Sequence, residues 1–145
     1  MQLQPKGKRR NKFLYLAIII LVVLSIAQPL FEFKGKVVIE IGSRYVNGSV
    51  RPLIEKFCKP KEYIGVDISP GKFVDKIVPA EKLVKVFGKN RFGVVISTEM
   101  LEHVSDWKKV INNMKEILKP GGYIYQLDLK GLDVTLTHTI FGDMK

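Results

Sequence analysis

The 145-residue chain has one cysteine, Cys58, so no disulfide can form within it. Cys58 falls in the apolar set of a predicted helix and reads as a buried structural thiol. Only two histidines occur, His103 and His138. No cysteine or second histidine stands near either at metal-ligand spacing, which argues against a zinc or iron site. No G-x-G-x-x-G follows an apolar strand, and that argues against a dinucleotide-binding turn. Internal repeats and low-complexity linkers are missing, and the length suits one domain. Acidic residues are absent before Glu32, whereas Lys6, Lys8, Arg9, Arg10 and Lys12 place +5 there. The formal net charge of +10 is therefore half tail, and residues 13–145 carry the other +5, nineteen basic against fourteen acidic.

That basic tail (residues 1–12) abuts a run, residues 13–27, with no polar face. At about 1.5 Å per residue the run reaches roughly 22 Å, and extension through Phe31 brings it to the lower limit for crossing a core of about 30 Å. A hydrophobic membrane-anchor helix over residues 13–31 is the favoured reading, with a membrane-associated protein as the consequence. A cleaved secretory signal ending at Ser25-Ile26-Ala27, and a helix buried in a partner or in the domain itself, are the alternatives. The positive flank predicts the N-terminus inside and, after one full crossing, the domain outside. No methionine falls between Met1 and Met100, so a later start cannot remove the segment. The tail is better explained by the membrane than by nucleic acid, and no nucleic-acid partner is expected.

From residue 34 the chain alternates short apolar runs with helical patterns. Lys36 to Ile41 is rich in β-branched residues and bounded by Gly35 and Gly42, which suits a buried parallel strand. A helix with apolar positions Val50, Leu53, Ile54, Phe57 and Cys58 follows, with Ser49 as N-cap and Pro60 as stop. Further strands are expected at 63–68, 73–78, 92–97 and 123–129, and a short helix at 80–87. An amphipathic helix capped by Ser105 or Asp106 carries Trp107, Val110, Ile111, Met114, Ile117 and Leu118 inward, with Asn112 and Asn113 on the solvent side. Pro120-Gly121-Gly122 ends it. Residues 133–141 alternate strictly, and a sixth strand there would cover the edge of the fifth. Strand–helix alternation implies parallel βαβ units, that is, an α/β domain over residues 34–145 with an open, mostly parallel sheet of five or six strands.

The turns after these strands carry the chemistry. The first strand runs into Glu40-Ile41-Gly42-Ser43-Arg44-Tyr45-Val46-Asn47-Gly48, the second ends in Gly65-Val66-Asp67, and the fourth in Thr98-Glu99-Met100-Leu101-Glu102-His103. Carboxyl ends of strands are where open α/β sheets bind ligands. A glycine lets backbone approach a ligand, and a carboxylate after the second strand can accept both hydroxyls of a ribose. An imidazole exchanges protons near neutral pH, which makes His103 the candidate general base. Each position also has a plain structural reading: a strand-to-helix turn at Gly42, a turn residue at Asp67, a packing or capping histidine at His103.

In order and spacing, residues 37–129 resemble the nucleotide half of a class I S-adenosylmethionine-dependent methyltransferase, closest to the small-molecule type 11 branch, in a short form. The resemblance implies a Rossmann-like fold and S-adenosyl-L-methionine as cofactor. Glu40, Gly42, Ser43 and Gly48 would then serve the methionine and ribose side, Asp67 and Ile68 the ribose, and Ala80 and Glu81 the adenine. Thr98 and Glu99 would lie beneath the methionine part, with Glu99 and His103 the catalytic pair. The family's glycine turn is poorer here, with Arg44 and Val46 in place of the second and third glycines. Pro79 replaces the usual acid that meets the adenine amino group. The family's final strand hairpin has no counterpart.

The implied activity is methyl transfer to oxygen, nitrogen or carbon of a small or lipid-linked acceptor, with the catalytic domain cytoplasmic. The competing reading is a non-catalytic membrane-anchored domain that binds a nucleoside ligand or a protein partner. Self-association through an unfinished sheet edge is a further expectation.

Overall fold

Val37–Ile41 (β1) lies at the middle of a six-stranded sheet ordered β3-β2-β1-β4-β5-β6. In this computed structural model the described residues are 30–46, 48–98, 100–128 and 135–140. The elements after β1 are α1 (Arg51–Cys58), β2 (Glu62–Asp67), β3 (Lys76–Ile77), a 3₁₀ turn Ala80–Lys82 running into α2 (Leu83–Phe87), and β4 (Phe92–Thr98). A second 3₁₀ turn (Leu101–His103), α3 (Trp107–Ile117), β5 (Leu118–Asp128) and β6 (Thr135–Ile140) complete them. Strands β1 to β5 pair in parallel, and β6 adds to β5 antiparallel, with Tyr125 opposite His138. The sixth strand expected from the alternating pattern is therefore present. The chain lays β2 and β3 on one side of β1, then returns to place β4 on the other. The switch point falls between β1 and β4, where ligands collect in open α/β sheets.

Alternation along each strand builds two cores. Ile39, Ile41, Val66, Val95 and Phe92 face α2 and α3, which add Leu83, Phe87, Val110, Met114 and Ile117. Val38, Val94, Ile96, Tyr63 and Tyr125 face the other way, against Phe33 and the half-buried Ile54 and Cys58 of α1. The period-2 pleat makes this split unavoidable once β1 is fully enclosed. Cys58 is accordingly half-buried, and burial pushes its thiol pKa up.

Several boundaries differ from the sequence reading. The N-cap of α1 is Val50, and the Ser49 hydroxyl accepts only from the Arg51 N–H at 3.2 Å. Apolar Leu53 and Phe57 of α1 point outward, 61% and 58% exposed. The expected third strand shrinks to two residues, since turns at 72–73 occupy its first half. Pro120-Gly121-Gly122 does not break the chain: β5 begins at Leu118, straight from α3, with a register shift against β4 between Phe92 and Val94. Trp107 is 49% exposed rather than inward, whereas Asn113 turns in and donates its side-chain N–H to the Ala80 carbonyl at 3.1 Å. Asp106, one of two expected caps, accepts from the Lys109 N–H at 3.1 Å.

The apolar run lies outside the described residues up to position 29. Residues 30–33 are helical, and Phe33 is buried in the second core. Among the described residues no helix is long and apolar enough to cross a membrane.

Candidate active site

The ends of β1 and β2 and the loop leading into β3 are knitted together before any ligand is considered. Gly42 takes a positive φ of 80°, a conformation that costs other residues energy, and turns the chain sharply off β1. The N–H groups of Gly42 and Ser43 both donate to the Val66 carbonyl, at 2.9 and 3.0 Å. Across β2, the Asp75 carboxylate accepts from the Gly65 N–H at 2.7 Å and from the Arg51 guanidinium at 2.7 Å. Burial works against that guanidinium's charge, but hydrogen bonds and attraction from Glu55 and Asp75 outweigh it and raise the Arg51 pKa. The Arg51 side chain also stacks 5.0 Å from the Tyr63 ring centre. One arginine thus ties the start of α1 to the loop between β2 and β3, which fixes the walls around Asp67.

Asp67 ends β2 with its carboxylate held by two backbone donors: Ser69 N–H to Oδ1 at 3.0 Å and Arg44 N–H to Oδ2 at 3.3 Å. Each oxygen retains capacity to accept from a ligand hydroxyl. The carboxylate borders an open cleft of about 210 Å³, somewhat smaller than the roughly 300–1,000 Å³ of a typical small-molecule site. Ile41, Val66, Val78 and Met100 form its apolar walls, and His103, Val104 and Ser105 close the side toward α3.

Six residues singled out from the sequence border this cleft together: Gly42, Asp67, Ile68, Ala80, Glu81 and His103. Others lie elsewhere. Glu40 is buried on the opposite sheet face, where its carboxylate accepts the Tyr63 hydroxyl at 2.8 Å. Burial first, then the Glu40 charge and hydrogen bond, raise the Tyr63 pKa far above its ordinary value. Ser43 is buried with its hydroxyl unpartnered, packed over Gly65. Gly48 is exposed and off the cleft. Thr98 ends β4 at the cleft's edge of the sheet, and Glu99 lies outside the described residues. The sequence reading missed the apolar walls Val78, Met100 and Val104. Their signal is only that they flank the named turns.

An open, mostly parallel α/β sheet with an acidic residue ending β2 and an apolar slot beside it defines a Rossmann-like domain. Residues 15–135 match a family model described as methyltransferase domain, and the chain belongs to that family. The chain is 26% identical over 137 residues to the hybrid PKS-NRPS synthetase apdA of Emericella nidulans, covering 83% of this chain and 4% of the synthetase. Among solved structures, it is similar to the trans-methyltransferase CalH with SAH bound (TM-score 0.57, 20% identity, 71% of this chain and 36% of CalH). It is likewise similar to a SAM-dependent methyltransferase from Archaeoglobus fulgidus (TM-score 0.56, 20% identity, 78% and 54% coverage). The chain spans far less than the full length of the synthetase it matches. Family and fold together identify a class I, SAM-dependent methyltransferase domain with S-adenosyl-L-methionine as its cofactor.

Proposed function

We propose that this chain transfers a methyl group from S-adenosylmethionine to a small acceptor, free or lipid-linked, and that it works at a membrane. The observation that carries the cofactor site is Asp67: an oriented carboxylate at the end of β2, open to the cleft, with Val78 and Ala80 beside it. Those residues fit a nucleoside, because the carboxylate can accept two vicinal hydroxyls while the apolar wall packs the base. Gly42 lets the β1 turn approach the ligand, and Ile68 and Glu81 border the same space. The bound sulfonium supplies an activated methyl that departs by in-line displacement. The chain's task is then alignment and exclusion of water. His103, on the side of the cleft formed by the turn before α3, receives the acceptor proton when the acceptor is a hydroxyl. Residues 13–31 hold the domain at the bilayer without crossing it fully, which keeps the domain on the cytosolic side where S-adenosylmethionine is made.

The test is incubation of the chain with methyl-labelled S-adenosylmethionine and either a water-soluble or a lipid extract. Label that enters one fraction, and is lost with Asp67→Asn, supports the proposal and says which acceptor class applies. A protein that binds the cofactor yet labels neither fraction is the non-catalytic domain instead.

A further inference from the structure

The opposite edge of the sheet from the cleft, where strands begin, has a repeated chemistry that methyl transfer does not use. Each long parallel strand starts behind basic residues: Lys34 and Lys36 before β1, Lys59 and Lys61 before β2, Lys89 and Arg91 before β4, and Lys119 at the start of β5. Backbone bonds hold these starts side by side. The Gly35 N–H donates to the Lys59 carbonyl at 3.2 Å, and the Lys61 N–H to the Lys36 carbonyl at 2.8 Å. Asn90 and Arg91 donate to the Glu116 and Ile117 carbonyls at 2.9 and 2.8 Å. The Lys36 side chain lies against Gly93, joining the β1 and β4 starts. All six lysines are exposed. Glu32, Glu62 and Glu116 are the acids near this rim, and among the described residues Lys89 pairs with Glu116 at 2.9 Å.

We infer that this lysine rim docks on an anionic lipid surface, so that the cofactor cleft faces away from the bilayer. Two observations select lipid as the occupant. The apolar run joins the domain at this same edge, ending three residues before Lys34 with Phe31 77% exposed. Phe57, 58% exposed on the last turn of α1, stands two residues before Lys59. A row of ammonium groups with aromatic side chains beside it matches the anionic headgroup layer and the boundary beneath it. Anionic lipid is concentrated in the cytoplasmic leaflet, so the rim also favours the cytosolic placement proposed above. Strands of this length put the cleft about 20 Å from the rim. A lipid-linked acceptor must therefore extend its reactive group well clear of the headgroups.

The inference rests on residues 13–31 reaching the bilayer and not on catalysis, and one experiment separates the two. The full chain is floated with vesicles of phosphatidylcholine, with or without phosphatidylserine, and its lysines are then acylated with a water-soluble ester and mapped. Flotation with phosphatidylcholine alone reports the apolar run. The rim is expected to show severalfold slower acylation at Lys34, Lys59, Lys61 and Lys119 only when phosphatidylserine is present. Lys72 and Lys82, near the cleft edge, keep their rates. The quadruple variant Lys34→Gln, Lys59→Gln, Lys61→Gln, Lys119→Gln, shown folded by circular dichroism, should lose roughly 600-fold of the extra partitioning, since each basic residue near such a surface contributes about fivefold. Equal acylation on both vesicles overturns the inference. Shielding of the same lysines by single-stranded RNA, with none by phosphatidylserine, assigns the rim to nucleic acid and overturns it too.

Discussion

Replacing Tyr63 with Phe removes one hydroxyl from the core and tests how the β1 carboxylate is tolerated there. Glu40 is 2% exposed and Tyr63 8% exposed, and the phenol donates to the carboxylate at 2.8 Å. A hydrogen bond to a charged group contributes about 1.5–3 kcal/mol, and its loss at a buried carboxylate adds desolvation that Phe cannot relieve. A loss of about 2 kcal/mol is therefore expected. The pH dependence adds a second signature. Tyr63 titrates above its ordinary value of 10.0 in the folded state, so the folded protein holds a proton that the unfolded chain releases above that pH. Its contribution to stability is complete below pH 10 and falls by about 1.4 kcal/mol per unit above it. Urea unfolding of wild type and Tyr63→Phe, at neutral pH and across the alkaline range, reads both effects. A difference below about 0.5 kcal/mol at neutral pH, or equally steep alkaline limbs, would refute the reasoning.

Three further changes have definite outcomes. Gly65→Ala puts a methyl 2.6 Å from the Ser43 hydroxyl and against the Phe73 carbonyl, and should cost about 2–3 kcal/mol, read as a lowered melting temperature. Arg51→Met should cost only about 1 kcal/mol by urea titration, because the partner carboxylates of Glu55 and Asp75 are 45% and 42% exposed. Pro79→Asp restores an acceptor at the N-terminus of the 3₁₀ turn that begins at Ala80, where the resembling family meets the adenine amino group. It should tighten S-adenosylmethionine binding by about tenfold in a calorimeter, the equivalent of one hydrogen bond to a charged group.

How far the sequence carried the reading depended on whether a signal was local. Strands β1, β2 and β4 were legible because full burial demands unbroken apolar runs ending in glycine or acidic turns. Strand β6 was legible from strict alternation. The start of β5 was not: Pro120-Gly121-Gly122 reads as a breaker, but Gly122 sits where a side chain would strike Leu118 and the Gly93 carbonyl, so those glycines serve a close approach within the sheet. Trp107 and Asn113 exchanged their expected faces for a tertiary reason, since Asn113 satisfies the Ala80 carbonyl beside the cleft. At the site, Gly42, Asp67 and His103 were visible as chemistry at strand ends. That Glu40 points to the second core follows from the pleat: Ile39 and Ile41 face the cleft side, so the residue between them cannot.

Calorimetric titration of the full chain with S-adenosylmethionine and S-adenosylhomocysteine, beside Asp67→Asn, tests the central claim most directly. Micromolar binding is predicted, weakened by about 10- to 100-fold in the variant as two hydrogen bonds from a ribose lose their charged acceptor. No binding by a folded wild-type protein, or equal affinity in the variant, would contradict the account.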